Sequence, residues 1–205
     1  MIAPIFGREK ILETEYVVAH TFMTNLMNRN YVRPELNASL QKIALGLNRR
    51  QPGIKLTYLD ANFLFMNRFP LIPHLSHNDG KKIDISLIYR DEEGSLKNKN
   101  PSLSGYGVFE DPKGGEHYQI TTCLEKGRWQ YDFPKYLTFG VINPNLEFSE
   151  KATKDLILEI LKQPSTGKLF IEPHLKSRLN LRNKKIRYHG CQAVRHDDHI
   201  HFQLK

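Results

Sequence analysis

Ten residues near the end of the chain, Arg195-His196-Asp197-Asp198-His199-Ile200-His201-Phe202-Gln203-Leu204, bring three histidines together beside two aspartates. As a strand, this stretch puts His199, His201 and Gln203 on one face and Ile200, Phe202 and Leu204 on the other. The apolar face would enter a sheet while two imidazoles point into the same space. Neutral imidazole is the commonest protein metal ligand, so His-x-His on a strand can aim two ligands at one ion; the same spacing also suits a solvated polar strand. A second polar group is Ser76-His77-Asn78-Asp79-Gly80-Lys81-Lys82-Ile83-Asp84. Gly80 allows a tight turn between His77 and Asp84, so both side chains can reach one point. His77, Asp84 and His201 then form a set of two nitrogens and one oxygen. Catalytic zinc sites use three protein ligands and leave the fourth position to water, whereas structural sites favour four ligands and cysteine. Bound zinc brings its water to a pKa near 7, which supplies a nucleophile for a carbonyl.

Elements must hold these groups. Apolar residues at Ile11, Leu12, Val17, Val18, Phe22, Met23, Leu26 and Met27 predict an amphipathic helix over 8–30, with His20 packed inside it. Pro34 opens a second helix, with Leu36, Leu40, Ile43, Ala44 and Leu47 on one side, that stops before Gln51-Pro52-Gly53. Strands are predicted at 54–59, 82–89, 168–171 and 185–188, ahead of the terminal one. Residues 61–76 read as a buried, shaped loop, and 90–115, rich in Gly, Ser, Asn and Pro, as a flexible insertion. Residues 117–124 fit a short strand or a helix equally. Trp129 suits either a substrate groove or, as a lone tryptophan, the core. Ser149 caps a helix through Leu161. The sum is an α+β fold with a mainly antiparallel central sheet and N-terminal helices packed on it. It reads as one domain over 1–205, with a helical layer at 1–53 and a sheet-bearing metal-site region at 54–205.

The 205 residues carry a formal charge of +8, which suits an anionic partner such as nucleic acid, anionic lipid or an acidic envelope polymer. The basic groups at Arg49-Arg50 and 182–187 lack interleaved aromatic residues, so a nucleic-acid partner is not expected. No apolar run is long enough to insert across a membrane. The two cysteines, Cys123 and Cys191, fit either a disulfide or, as the default, two buried free thiols. The first residues show no charged leader, apolar core or cleavage site. That leaves a cytoplasmic protein or one whose export signal or anchor lies outside this chain.

The pattern Ser76-His77-x-x-Gly80-x-x-x-Asp84-Ile85, closed by His196-Asp197-Asp198-His199-Ile200-His201, resembles the penicillin-insensitive murein endopeptidases. These belong to the D-alanyl-D-alanine metallopeptidase (Hedgehog-like, lysostaphin-type) group of zinc enzymes, which includes D,D-carboxypeptidases and dipeptidases. The run 169–179 and Gly190-Cys191-Gln192-Ala193-Val194 resemble the family's approach to its final motif. The resemblance covers roughly 70–90 and 166–205. It implies zinc held by His77, Asp84 and His201, with His199 as a catalytic histidine and His196 as a second acid/base candidate. It also implies a peptidase cutting bonds that involve D-amino acids in peptidoglycan peptides, outside the cytoplasm, in the periplasm or an equivalent compartment. A D,D-carboxypeptidase or dipeptidase of the group, or an inactive zinc-containing envelope-binding module, are the alternatives.

Around this set, His74 and Arg68 are expected to line the substrate cleft; the dipeptidases' transition-state arginine has no secure match in this chain, with Arg68 and Arg49 as its candidates. Asp197 is expected to accept a hydrogen bond from a ligand imidazole, and Asp198 to face away from the metal on a continuous strand. His174 reads as a satisfied structural residue, while His117 and His189 carry no signal. Lys81 and Lys82 depart from the family pattern and could meet an acidic substrate group or face solvent. The endopeptidases' several disulfides have no counterpart in a chain with two cysteines.

Overall fold

The computed structural model describes residues 3–69, 71 and 76–205. Eleven strands are described: β1 (Glu9–Lys10), β2 (Val17–Ala19), β3 (Tyr31–Val32), β4 (Leu56–Asp60), β5 (Lys82–Ser86), β6 (Tyr89–Arg90), β7 (Leu96–Lys97), β8 (Glu147–Phe148), β9 (Thr166–Phe170), β10 (Ile186–Arg187) and β11 (His199–Leu204). The helices are α1 (Phe22–Leu26), α2 (Pro34–Arg50), α3 (Gln119–Glu125), α4 (Glu150–Lys162) and α5 (Pro173–Arg178), with short 3-10 turns between some of them. The fold is α+β. Its main sheet has the order β10-β9-β11-β5-β4-β2, antiparallel from β9 to β4 and parallel at both edges.

Alternation divides this sheet into two faces. Ile200, Phe202 and Leu204 of β11 and Ile83 and Ile85 of β5 are buried in the core with α2 and α4. Pro34 starts α2 where its missing N–H costs nothing, and Arg49 and Arg50 sit in its last turn, where the helix dipole favours cations. Arg50 also bonds Asp155 and Glu159, tying α2 to α4. The Ser149 hydroxyl accepts the Ala152 N–H and caps α4, in line with the sequence. His199 and His201 leave β11 on the opposite face from these helices.

The N-terminal layer departs from expectation. Residues 8–30 form β1, β2 and α1 instead of one helix. Tertiary pairing overrides the helical stripe: Val17, Val18 and Ala19 add to the sheet edge beside Leu56, Thr57 and Tyr58. Phe22, Met23, Leu26 and Met27 are left exposed, whereas Ile11 and Val17 are buried. The layer expected over 1–53 is therefore one long helix, α2, plus short pieces. The predicted 82–89 strand is split into β5 and β6, and 117–124, which fitted strand or helix equally, is largely α3. Trp129 is 68 % exposed and belongs to no core.

Residues 90–115 are not a loose insertion. Asn100 and Ser102 are buried, and the Asn100 amide bonds Ser86 of β5. Cys123 and Cys191 form a disulfide, contrary to the expected free thiols. Their spacing gave no hint of it, because the bridge joins α3 to the loop before β11, 68 residues on. Closing so long a loop restricts the unfolded chain, so reduction should lower stability by roughly 2–4 kcal/mol. Denaturant midpoints with and without reductant would measure this; equal midpoints would contradict it.

Candidate metal centre

Register places the two halves of the site side by side. His201 of β11 lies directly opposite Asp84 of β5, and paired residues share a face. The His201 Nδ1 is 2.8 Å from Asp84 Oδ1. His77 enters from the loop before β5. Its Nδ1 donates to the Ala61 carbonyl at 2.6 Å, which leaves the Nε2 lone pair pointing inward. That Nε2 is 3.2 Å from His201 Nδ1 and 3.2 Å from Asp84 Oδ1. Ligands on a tetrahedral zinc stand roughly 3.3 Å apart, given bonds of about 2.0–2.1 Å. The three donors thus form a triangle of the right size around one ion. They are 1 %, 1 % and 4 % exposed.

A metal ion fits this donor set. Burial lowers the His201 pKa, and the His77 and His199 charges add to that against Asp84, bringing it to about 4. The imidazole is then neutral at ordinary pH, the form that ligates. For His77, burial pulls down but the Asp84 carboxylate outweighs it and raises the pKa. Among the described residues, His77, Asp84 and His201 are the group able to hold a metal ion.

The other histidines surround this triangle. His199 Nε2 is 3.8 Å from Asp84 Oδ1, and its Nδ1 is 2.5 Å from Asp198 Oδ1. Burial depresses the His199 pKa, but Asp198 and Asp84 outweigh it and raise it to about 9. The ring of His196 lies 4.9 Å from that of His199 and 5.8 Å from that of His201. Burial, then the charges of His199 and His201, push its pKa well below the usual value.

Two aspartates sit differently from expectation. Asp198 does not face away, because β11 begins only at His199 and alternation stops there. Its second oxygen accepts the Gly107 N–H at 2.6 Å, so it fixes the His199 ring to the 100–107 loop. Asp197 serves no ligand imidazole; it pairs with Arg195 at 2.5 Å, and for His77 a backbone carbonyl takes that role. His174, expected to be a satisfied histidine, is satisfied at one nitrogen only: Nε2 donates to the Glu110 carbonyl, while the buried Nδ1 has no hydrogen-bond partner among the described residues. Arg68 is exposed, and its N–H bonds the Asn78 carbonyl next to His77. Arg49 lies in the last turn of α2. His74 falls outside the described residues.

Two residues escaped sequence reasoning. Tyr106, from the supposed insertion, donates to Asp84 Oδ2 at 3.0 Å and sets its ring edge-on to His199 at 5.1 Å. It also contacts Asp60, which holds Arg29 in a two-bond ion pair. His189 stacks on His196 at 5.6 Å and meets Phe170 at 4.4 Å. No local pattern marks either residue, since both reach the site through long-range packing. Hydrogen bonds behind a metal ligand hold it in place and typically matter 10–100-fold to affinity. Tyr106→Phe should therefore weaken metal binding by roughly tenfold or more, as read by competition with a chelating dye. An unchanged affinity would remove Tyr106 from the ligand's support.

Fold and site together define an α+β protein with a buried His–His–Asp group able to hold a metal ion. No protein-family model matches the chain, and no curated protein is significantly similar to it.

Proposed function

We propose that this chain is a zinc metallopeptidase that hydrolyses peptide bonds involving D-amino acids in peptidoglycan, of the murein endopeptidase type. The observation that carries the reading is the convergence of His77 Nε2, Asp84 Oδ1 and His201 Nδ1 within 3.2 Å of one another. The sequence motifs around them add the family resemblance, and with it the D-alanyl-D-alanine metallopeptidase (Hedgehog-like) architecture for the sheet. His77, Asp84 and His201 would hold the zinc, which supplies Lewis acidity and an activated water when bound. His199, held at Nδ1 by Asp198, turns Nε2 toward the centre to accept or return a proton. His196, second in line, packs the first imidazole into place. Near-complete burial of these groups keeps bulk water away from them. The Cys123–Cys191 disulfide supports an oxidising compartment, in keeping with a periplasmic or other extracytoplasmic location.

Zinc-loaded protein incubated with peptidoglycan sacculi should release new muropeptides, resolved by chromatography and mass spectrometry. No change across sacculi of several stem chemistries would reject the reading. The same burial, with His77 and Asp84 each 1 % exposed, favours a second reading as a zinc-containing envelope-binding module without turnover. Zinc content and sacculus binding without hydrolysis would select that one.

A further inference from the structure

From 173 to 196 the chain holds no acidic residue, while Arg182, Lys184, Lys185 and Arg187 crowd the edge strand β10. Register decides where that charge points. Arg187 pairs with Phe170, Phe170 with His201, and His201 with Asp84. Side chains of paired residues project from the same face, so Arg187 stands in one row with two of the metal-site residues. Lys168, two residues back on β9, pairs with Gln203 and shares that face. Arg187 is exposed and Lys168 half-buried, and neither meets a carboxylate among the described residues. Lys82, across the row on β5, is different: Asp79 neutralises it at 2.5 Å. Of the cations in this row and the one beside it, Arg187 and Lys168 carry the unpaired charge, and both lie on the β9–β10 side of the centre. His189, exposed and resting on Phe170, bridges that side to the buried histidines.

We propose that Arg187 and Lys168 form a carboxylate-binding subsite beside the metal centre, so that the ligand is an acidic peptide. The inference rests on the peptidase reading for its direction, since it assumes that a peptide is processed at His201. Neighbouring strands lie about 4.8 Å apart, so the Arg187 backbone is roughly 10 Å from that of His201. An extended peptide advances about 3.3 Å per residue, which puts a carboxylate some two residues from the reacting bond within reach of the guanidinium. A planar guanidinium suits a carboxylate through paired hydrogen bonds. Nucleic acid fits less well, because the row offers no exposed aromatic surface for bases: Phe170 is 8 % exposed.

The test uses the full chain and two fluorescent synthetic peptides of equal length, one with glutamates and one with glutamines at the same positions. Anisotropy should give the glutamate peptide roughly tenfold tighter binding at low salt, since each screened ion pair contributes only modestly. The preference should shrink as salt is raised and vanish in Arg187→Glu/Lys168→Glu protein, with Arg187→Gln in between. It should persist in His201→Ala protein, because the subsite does not need the metal. Equal affinities, or a preference kept by the double variant, would overturn the proposal. So would tighter binding of a single-stranded oligonucleotide of the same charge. Glutamate preference without sacculus hydrolysis would remove the peptidase reading and keep the subsite; hydrolysis without that preference would do the reverse.

Discussion

His201→Ala protein should come off a desalting column without zinc, where the parent keeps one ion per chain. The reason lies in the donor triangle. Deleting the imidazole leaves His77 Nε2 and Asp84 Oδ1, 3.2 Å apart, and a two-donor site cannot compete with water and buffer for the ion. Hydrolysis of sacculi should fall by on the order of a thousandfold or more, because the activated water is worth several kcal/mol of barrier. The fold should survive, since the core face of β11 is built from Ile200, Phe202 and Leu204 and is untouched. Elemental analysis of parent and variant, with circular dichroism to check folding, decides the matter. A folded variant with full zinc content would mean that the ion sits elsewhere.

The site was more legible than the scaffold that frames it. Two-residue alternation over His199–Leu204 is a local property, and it predicted the two faces of β11 that the structure has. Gly80, with a φ of 78° that side chains rarely adopt, does mark the turn that brings His77 to Asp84. The same local reasoning failed at 8–30. There a helical spacing was present, but the backbone partners lay in β4, too far along the chain for periodicity to register. Tyr106 and Asp198 show a third kind of limit. Tyr106 sits in a stretch of glycine and serine that reads as loop, and its value comes only from where that loop lands. Asp198 was misplaced by extending a strand one residue too far, which swaps the face of a side chain.

The largest effect on stability is expected at Arg195. Its guanidinium is 4 % exposed and bonds Asp197 at 2.5 Å, Asp111 at 2.6 Å and Asp132 at 3.0 Å. It also stacks 3.8 Å over the ring of Phe109. Burial alone would lower the Arg195 pKa, but its carboxylates, led by Asp197, raise it, so the charge is kept. Asp197 is wholly buried and Asp132 nearly so, whereas Asp111 is 72 % exposed and contributes little. Arg195→Met fills much of the volume but strands the Asp197 carboxylate in the interior, whereas Asp132 keeps Lys135 at 2.7 Å. Breaking a buried ion pair from one side typically costs about 3–5 kcal/mol, and a loss of that order is expected here, read as a shift of the urea midpoint. Arg195→Lys should recover only part of it, since an ammonium cannot reach three acceptors in one plane. The consequence extends to the centre. Arg195 joins the 109–111 segment and the Trp129–Tyr131 turn to the residues that lead into β11, including His196 and Asp198. If Arg195→Met proved as stable as the parent, the cluster would not hold this segment, and the positions of His196 and Asp198 would be set by their other partners, Glu172, His189, Gly107 and His199.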